Sequence, residues 1–154
     1  MAKKKYTLET TFEHDYQLIV IKTVLENFRL AYFLNKALQI QLKKYGFSLQ
    51  FQHKKGAFDV FGYENEMNSA YWALIANKQI IEKETTDDAF SLFEQISNTF
   101  ILIQEEKTVD YFLKIENNNT PITEIIQTLN SIHKVITAYE IDPNTLKSKD
   151  LLIF

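Results

Sequence analysis

The chain has 154 residues, of which 45% are hydrophobic, 24% are charged and 14% are aromatic, and its formal net charge is −3. This length is typical of one globular domain, and the abundance of Phe and Tyr argues against a disordered chain. The absence of cysteine excludes a disulfide framework, a zinc–thiolate site and a thiol nucleophile. We therefore predict a single domain that spans residues 1–154.

Charge and hydropathy restrict the location and the partners of the chain. No apolar run approaches the roughly 20 residues that a membrane-spanning helix needs. The three lysines at 3–5 are followed by polar residues 7–11, where a signal peptide carries an apolar stretch. The mild acidic balance disfavours nucleic acid, which binds basic patches. The sequence thus predicts a cytoplasmic protein without a membrane or nucleic-acid partner, with a flexible basic tail at residues 1–5.

Two segments carry apolar residues at helical spacing. The first predicted helix spans residues 25–44, and Thr23 and Glu26 stand in the order of a capping box at its start. The second predicted helix spans residues 121–139, with Pro121 in its first position. Both helices are amphipathic, so each has one face that must be buried.

Outside the two helices the apolar period changes to two, which is typical of β-strands. Strands are predicted at residues 16–22, 47–51, 58–61, 71–76, 99–104 and 109–115. The last two are separated by the charged residues 105–107 and are expected to pair as a hairpin. Residues 80–97 fit a variable loop or a short helix equally well, and residues 142–154 form a C-terminal tail.

These elements predict an α+β fold in which a single antiparallel sheet has two amphipathic helices packed on one face. Two helices cover only one face, yet the predicted strands carry apolar side chains on both. The second face is buried either by a second copy of the chain or by residues 80–97 together with the C-terminal tail. We favour a homodimer, with Phe61, Trp72 and Phe112 as its candidate interface.

The sequence contains no recognisable catalytic or cofactor-binding motif. It has no glycine-rich phosphate loop, no nucleophile elbow and no pair of histidines at one-turn spacing. No catalytic residue, cofactor or metal ligand is therefore predicted. The only arginine is Arg29, and a guanidinium holds a fixed geometry that lysine cannot supply. Two interpretations stay open: a structural ion pair with Asp110 or Glu105, and a site for an anionic ligand.

A short motif overlaps the start of the last predicted strand. Residues 103–111 read Ile-Gln-Glu-Glu-Lys-Thr-Val-Asp-Tyr. This segment resembles the signature of the bacterial IPExxxVDY family of small proteins, with Gln104 where the signature has proline. Residues 29–36 are similar to the family's first helix, so the resemblance covers nearly the whole chain. It implies no activity, because the family has no assigned function.

Two functional hypotheses follow. We expect a non-catalytic protein-interaction module that forms a homodimer and offers an exposed apolar groove to a protein partner. The alternative is a small-molecule binding protein or enzyme, which requires a concave pocket with converging polar groups. The candidate polar site for an anionic ligand consists of Arg29, Asn35, Glu105, Asp110 and Tyr111.

Overall fold

Residues 16–50, 57–82 and 97–152 are described by the structure, a computed structural model. In this part of the chain the elements are β1 (Tyr16–Thr23), α1 (Asn27–Leu38), β2 (Lys43–Gln50), β3 (Ala57–Asn65), β4 (Ala70–Ala76), β5 (Lys78–Glu82), β6 (Ser97–Ile101), β7 (Tyr111–Glu116), α2 (Ile122–Ser131) and β8 (Val135–Ile141). Short 3₁₀ turns lie at Gln104–Glu106, Pro143–Thr145 and Lys149–Leu152. The predicted basic tail and most of the predicted variable segment lie outside the described residues.

Six strands form an antiparallel sheet in the order β2-β3-β4-β7-β1-β8, and β5 pairs with β6 in a separate two-stranded sheet. The predicted mixture of helices with a main antiparallel sheet is confirmed. The predicted hairpin between residues 99–104 and 109–115 is wrong, because β6 pairs with β5, whereas β7 pairs with β4 and β1. The ends of the segment 80–97 also belong to strands rather than to a loop or helix.

The side chains of the inner strands alternate between two hydrophobic clusters. In β1, Ile19 and Ile21 belong to the first cluster, whereas Leu18 and Val20 belong to the second. All four side chains are fully buried. The first cluster also contains the buried helix residues Leu30, Ala31, Leu34, Ile125 and Leu129. Both faces of the sheet are therefore shielded from solvent, which explains why its inner strands are apolar at nearly every position.

The second cluster is closed by other segments of the same chain. Leu102 and Ile103 follow β6, Leu146 and Leu152 lie in the C-terminal segment, and none of the four is more than 4% exposed. They share this cluster with Phe112 of β7. A second copy of the chain is therefore not needed to bury this face. The C-terminal tail thus helps to bury the second face, as in the alternative to a second copy of the chain. Homodimer formation stays a prediction.

The three candidate interface residues lie in the interior. Phe61, Trp72 and Phe112 are 3%, 5% and 0% exposed. Phe61 and Trp72 belong to the first cluster and Phe112 to the second. Their strands β3, β4 and β7 are inner strands of the sheet, and side chains of each strand belong to both clusters. The prediction that these side chains form an interface with another chain is corrected.

The first helix is shorter than the predicted span of residues 25–44. Glu26 occupies the N-cap of α1 without a side-chain hydrogen bond, and Thr23 is the last residue of β1, so the predicted capping box does not form. Gln39 ends the helix because its backbone adopts the left-handed conformation, with φ at 56°. Lys43 therefore begins strand β2 instead of lying in the last helical turn.

The second predicted helix, residues 121–139, is a helix followed by a strand. Pro121 is the N-cap of α2, and the chain turns at Lys134, whose φ is 72°. The residues of β8 include Val135, Ile136 and Thr137, whose β-branched side chains favour a strand. The apolar residues Val135, Ile136 and Tyr139 also continue the helical period of α2 in the sequence, which explains the longer predicted span. Neither described helix could cross a membrane.

A buried asparagine holds the connection between β6 and β7. Asn77 lies between β4 and β5 and is 0% exposed. Its backbone and side chain make five hydrogen bonds of 2.8–2.9 Å to backbone atoms of Leu102, Ile103, Glu106, Val109 and Asp110. The Asn77 amide nitrogen donates to two carbonyl oxygens, and the amide oxygen accepts from one N–H. All the donors of this buried residue are therefore satisfied.

We expect the substitution Asn77→Asp to lower the free energy of unfolding by at least about 3 kcal/mol. An oxygen would then face the carbonyl oxygens of Glu106 and Val109 in place of the donating nitrogen. Urea unfolding followed by the fluorescence of Trp72, the single tryptophan, measures this loss. The control is Asn119→Asp at an exposed loop position. Equal stability of the two variants would contradict the role assigned to Asn77.

Candidate functional site

A cleft of about 480 Å³ opens where the β1–α1 connection meets β3, β5 and the start of β7. Its charged residues are Glu26, Asp59, Lys78 and Asp110, and the three carboxylates and one ammonium give the lining a formal charge of −2. Elements that are distant in the sequence contribute these four side chains. The cleft is a concave polar site that could hold a ligand.

Asp110 joins three strands at one wall of the cleft. Its Oδ2 accepts a hydrogen bond from the Thr23 backbone N–H at 2.9 Å, and its Oδ1 accepts from Lys78 Nζ at 3.1 Å. The Asp110 backbone N–H also donates to the Ile21 carbonyl oxygen. Both carboxylate oxygens are thus occupied by neighbours, and Asp110 fixes the position of Lys78 at the rim.

Tyr111 holds the β1–α1 connection through its hydroxyl. The Tyr111 hydroxyl donates to the Leu25 carbonyl oxygen at 2.9 Å in a buried contact. Burial, and then the negative charges of three cleft carboxylates, raise the pKa of the Tyr111 phenol to about 12. The phenol is therefore neutral at physiological pH. It acts as a hydrogen-bond donor rather than as a group that exchanges protons.

The other carboxylate side chains of the cleft add hydrogen-bond acceptors. Asp59 Oδ2 accepts from Asn27 Nδ2 at 2.6 Å, and Asp59 Oδ1 lies 3.6 Å from Lys44 Nζ. Glu26 is exposed and makes no side-chain hydrogen bond or ion pair within the described residues. Gln79 Oε1 is buried and accepts no hydrogen bond from the described part of the chain. Acceptors therefore outnumber donors in this cleft.

The structure does not bring the five residues of the candidate polar site together. Asp110 and Tyr111 line the cleft, whereas Arg29, Asn35 and Glu105 do not. Within the described residues, no group of three or more histidine or carboxylate side chains is arranged to hold a metal ion. The cleft is thus a different site from the one expected, and its charge has the opposite sign to a site for anions.

The predicted ion pair of Arg29 is not formed. Arg29 is exposed on α1 and makes no hydrogen bond or ion pair with the described residues. Asp110 pairs with Lys78 instead. Glu105 accepts hydrogen bonds from the Ser148 backbone N–H at 2.6 Å and the Ser148 hydroxyl at 3.0 Å. Both structural partners proposed for Arg29 are therefore engaged elsewhere.

Glu105 and a buried lysine anchor the C-terminal segment. Burial alone would raise the pKa of Glu105, but the hydrogen bonds, chiefly from Ser148, outweigh it and lower the pKa below its ordinary value. Further along, Lys114 is 3% exposed and donates from Nζ to the Leu152 carbonyl oxygen at 3.0 Å. These two contacts hold the segment that carries Leu146 and Leu152 into the second cluster.

Asn35 has a structural role that recurs at the other edge of the sheet. Its amide donates to the Leu42 carbonyl oxygen at 3.1 Å and accepts from the Leu42 N–H at 2.7 Å, just before β2. Asn130 of α2 makes the same pair of hydrogen bonds with Ala138 of β8, both at 2.9 Å. Each edge strand is therefore attached to the helix that precedes it by one asparagine side chain.

The motif in the sequence indicates two of the cleft residues, Asp110 and Tyr111. No sequence pattern indicates that Glu26, Asp59 and Lys78 also line the cleft. These three come from separate elements, and no local pattern connects them. Asp59 did carry a signal, because it is a charged residue inside a buried strand, between Phe58 and Val60. Buried strands seldom contain a carboxylate unless it has partners or a function.

We expect Tyr111→Phe to lower the free energy of unfolding by about 1–3 kcal/mol, because the Leu25 carbonyl oxygen loses its buried donor. Urea unfolding measures the change. Tyr139→Phe is the matched control, since Tyr139 is 37% exposed. The same small loss in both variants would show that the Tyr111 hydroxyl does not support the β1–α1 connection.

We expect the stability difference between the wild type and Glu105→Gln to depend on pH. Because folding lowers the pKa of Glu105, its carboxylate stabilises the folded state above the ordinary value of 4.5, and this contribution is lost as the pH falls further. Urea unfolding at pH 7 and pH 3 compares the two proteins. Ser148→Ala removes one of the two hydrogen-bond donors to Glu105. The pH dependence of its stability difference from the wild type should therefore be smaller than that of Glu105→Gln. A difference that is unchanged by pH would refute this account.

Comparison of the chain with protein-family models, with curated proteins and with solved structures finds no match. The resemblance to the IPExxxVDY family therefore stays a prediction that rests on residues 103–111 and 29–36. What can be inferred about function comes from the cleft and from the surface beside it.

Proposed function

We propose that this chain is a non-catalytic protein-interaction module that binds its partner through an apolar surface at the start of α1. This surface, the α1 face, consists of Val24, Phe28 and Tyr32, which are 74%, 60% and 61% exposed. The exposure of three large apolar side chains in one short stretch is the observation that carries the proposal. Aromatic residues of this kind are enriched at protein interfaces.

Packing beneath the α1 face holds it in one arrangement. The Phe28 ring meets the Phe61 ring edge-on, with centroids 5.3 Å apart and planes at 90°, and Phe61 belongs to the first cluster. Tyr32 makes a similar edge contact with Phe33 at 5.5 Å. A side chain that is already ordered loses little conformational entropy when a partner binds. The proposal takes both helices to pack on the same face of the six-stranded sheet, since their buried side chains share the first cluster.

Two observations favour this surface over the other candidates. An anionic ligand is disfavoured by the negative charge of the cleft and by the position of Arg29 outside it. Pairing of a further strand with the edge strand β8 is disfavoured because Asn130 occupies the N–H and carbonyl groups of Ala138. A homodimer remains part of the proposal, and a second copy would then contact the α1 face.

Photo-crosslinking in the native cells tests the proposal. We expect p-benzoylphenylalanine in place of Phe28 or Tyr32 to form a specific covalent adduct with a protein, because both side chains would lie within the interface. An adduct of twice the 18.1 kDa mass of the chain identifies a second copy. The control places the same residue at Met67, which is 97% exposed in the β3–β4 turn. Absence of an adduct at positions 28 and 32, or an identical adduct at position 67, would overturn the proposal.

A further inference from the structure

We infer that the protein segment bound on the α1 face carries a lysine or arginine side chain, which enters the acidic cleft beside that face. This inference rests on the proposed function and names the chemistry of the partner. An apolar face selects for apolar contact in general, whereas a charged cleft at its margin selects for a residue of opposite charge. The partner is therefore a segment with both apolar and basic side chains.

The α1 face and the cleft are continuous. Val24 belongs to both, because it is exposed on the surface and also lines the cleft. Phe28 also lies close to the cleft, because Lys44 contacts both the Phe28 ring and Asp59. Lys44 Nζ lies 5.4 Å from the centroid of the Phe28 ring and 3.6 Å from Asp59 Oδ1. A segment that covers Val24 and Phe28 thus passes the mouth of the cleft.

The charge balance of the cleft favours a cation. Lys78 pairs with Asp110, and Glu26 and Asp59 are the other negative charges that line the cleft. The N-terminus of α1 is close by, but its dipole corresponds to only about half a positive charge. The Lys44–Asp59 pair is long and its Lys44 side chain is 43% exposed, so it screens Asp59 weakly. With Lys44 counted, the formal charge of the cleft and its mouth is −1, which still favours a cation.

A donor-rich cation also matches the hydrogen-bonding groups of the cleft. Glu26 and Asp59 line the cleft, and their carboxylate oxygens accept hydrogen bonds, so they favour a ligand that brings N–H donors. The cleft carboxylates contribute, after burial, to the raised pKa of Tyr111, as expected for a negative potential. Lysine and arginine supply the donors, and their apolar stems can pack against Val24 at the rim.

A selection from random 12-residue peptides displayed on phage tests the inference. We expect peptides that bind the wild type to be enriched in Lys and Arg together with apolar residues. The double variant Glu26→Gln/Asp59→Asn should bind a selected peptide about fivefold to tenfold more weakly by fluorescence anisotropy. The matched control Glu124→Gln/Glu140→Gln removes the same charge from exposed positions on α2 and β8 and should bind normally. Glu26→Gln alone serves as a second variant that removes a cleft charge without loss of a structural contact, because the Glu26 side chain makes no hydrogen bond within the described residues.

The outcomes separate this inference from the proposed function. Peptides without enrichment in Lys and Arg, or peptides that bind Glu26→Gln/Asp59→Asn as tightly as the wild type, overturn the inference. The proposed function still holds in that case if Phe28→Ser/Tyr32→Ser abolishes binding and the control Met67→Ser does not. If Phe28→Ser/Tyr32→Ser binds normally, or if no peptide is selected, both the proposed function and the inference fail.

Discussion

The buried side chain of Asn77 connects the two halves of the architecture. Its hydrogen bonds hold the connection between β6 and β7, which contributes Leu102 and Ile103 to the second cluster and leads into Asp110 at the cleft. Backbone groups in an irregular buried connection need partners, and Asn77 makes five hydrogen bonds to them, three of which come from its side-chain amide. Closure of the second face and the shape of the cleft are therefore set by the same few hydrogen bonds. A change that loosened one would also disturb the other.

The two dry faces of the sheet are covered by different means. On the first cluster, helix side chains such as Leu34 and Leu129 contribute to the cover, as is usual for an α+β fold. On the second cluster, irregular segments contribute, and they are attached by the few polar contacts of Glu105 and Lys114. Irregular segments with few backbone hydrogen bonds open more readily than helices or strands. The C-terminal cover is thus expected to open more readily than the helices, although Leu146 and Leu152 are as well buried as the core.

Much of the fold could be predicted because period-two patterns are local. The strands β1, β4 and β7 follow from their own residues, and so does the fold class. The helix ends could not be predicted, since Gln39 is not a residue typical of the left-handed conformation and the residues of β8 also fit a helical period. The partner of β6 depends on contacts distant in the sequence. The cleft was found only in part for the same reason: Asp110 and Tyr111 belong to a contiguous motif, whereas Glu26 and Asp59 meet them only in the folded chain.

The asparagines at the two edges of the sheet also affect how the protein behaves at high concentration. An edge strand with free backbone groups and exposed apolar side chains templates aggregation, and β8 exposes Ile136 at 68%. Asn130 saturates the backbone of Ala138 two residues further along, and Asn35 does the same for Leu42 beside β2. A neighbouring molecule that approached β8 at Ala138 would have to displace an amide before its own strand could dock. The helices therefore contribute colloidal stability as well as core residues, which allows the chain to keep an apolar surface elsewhere.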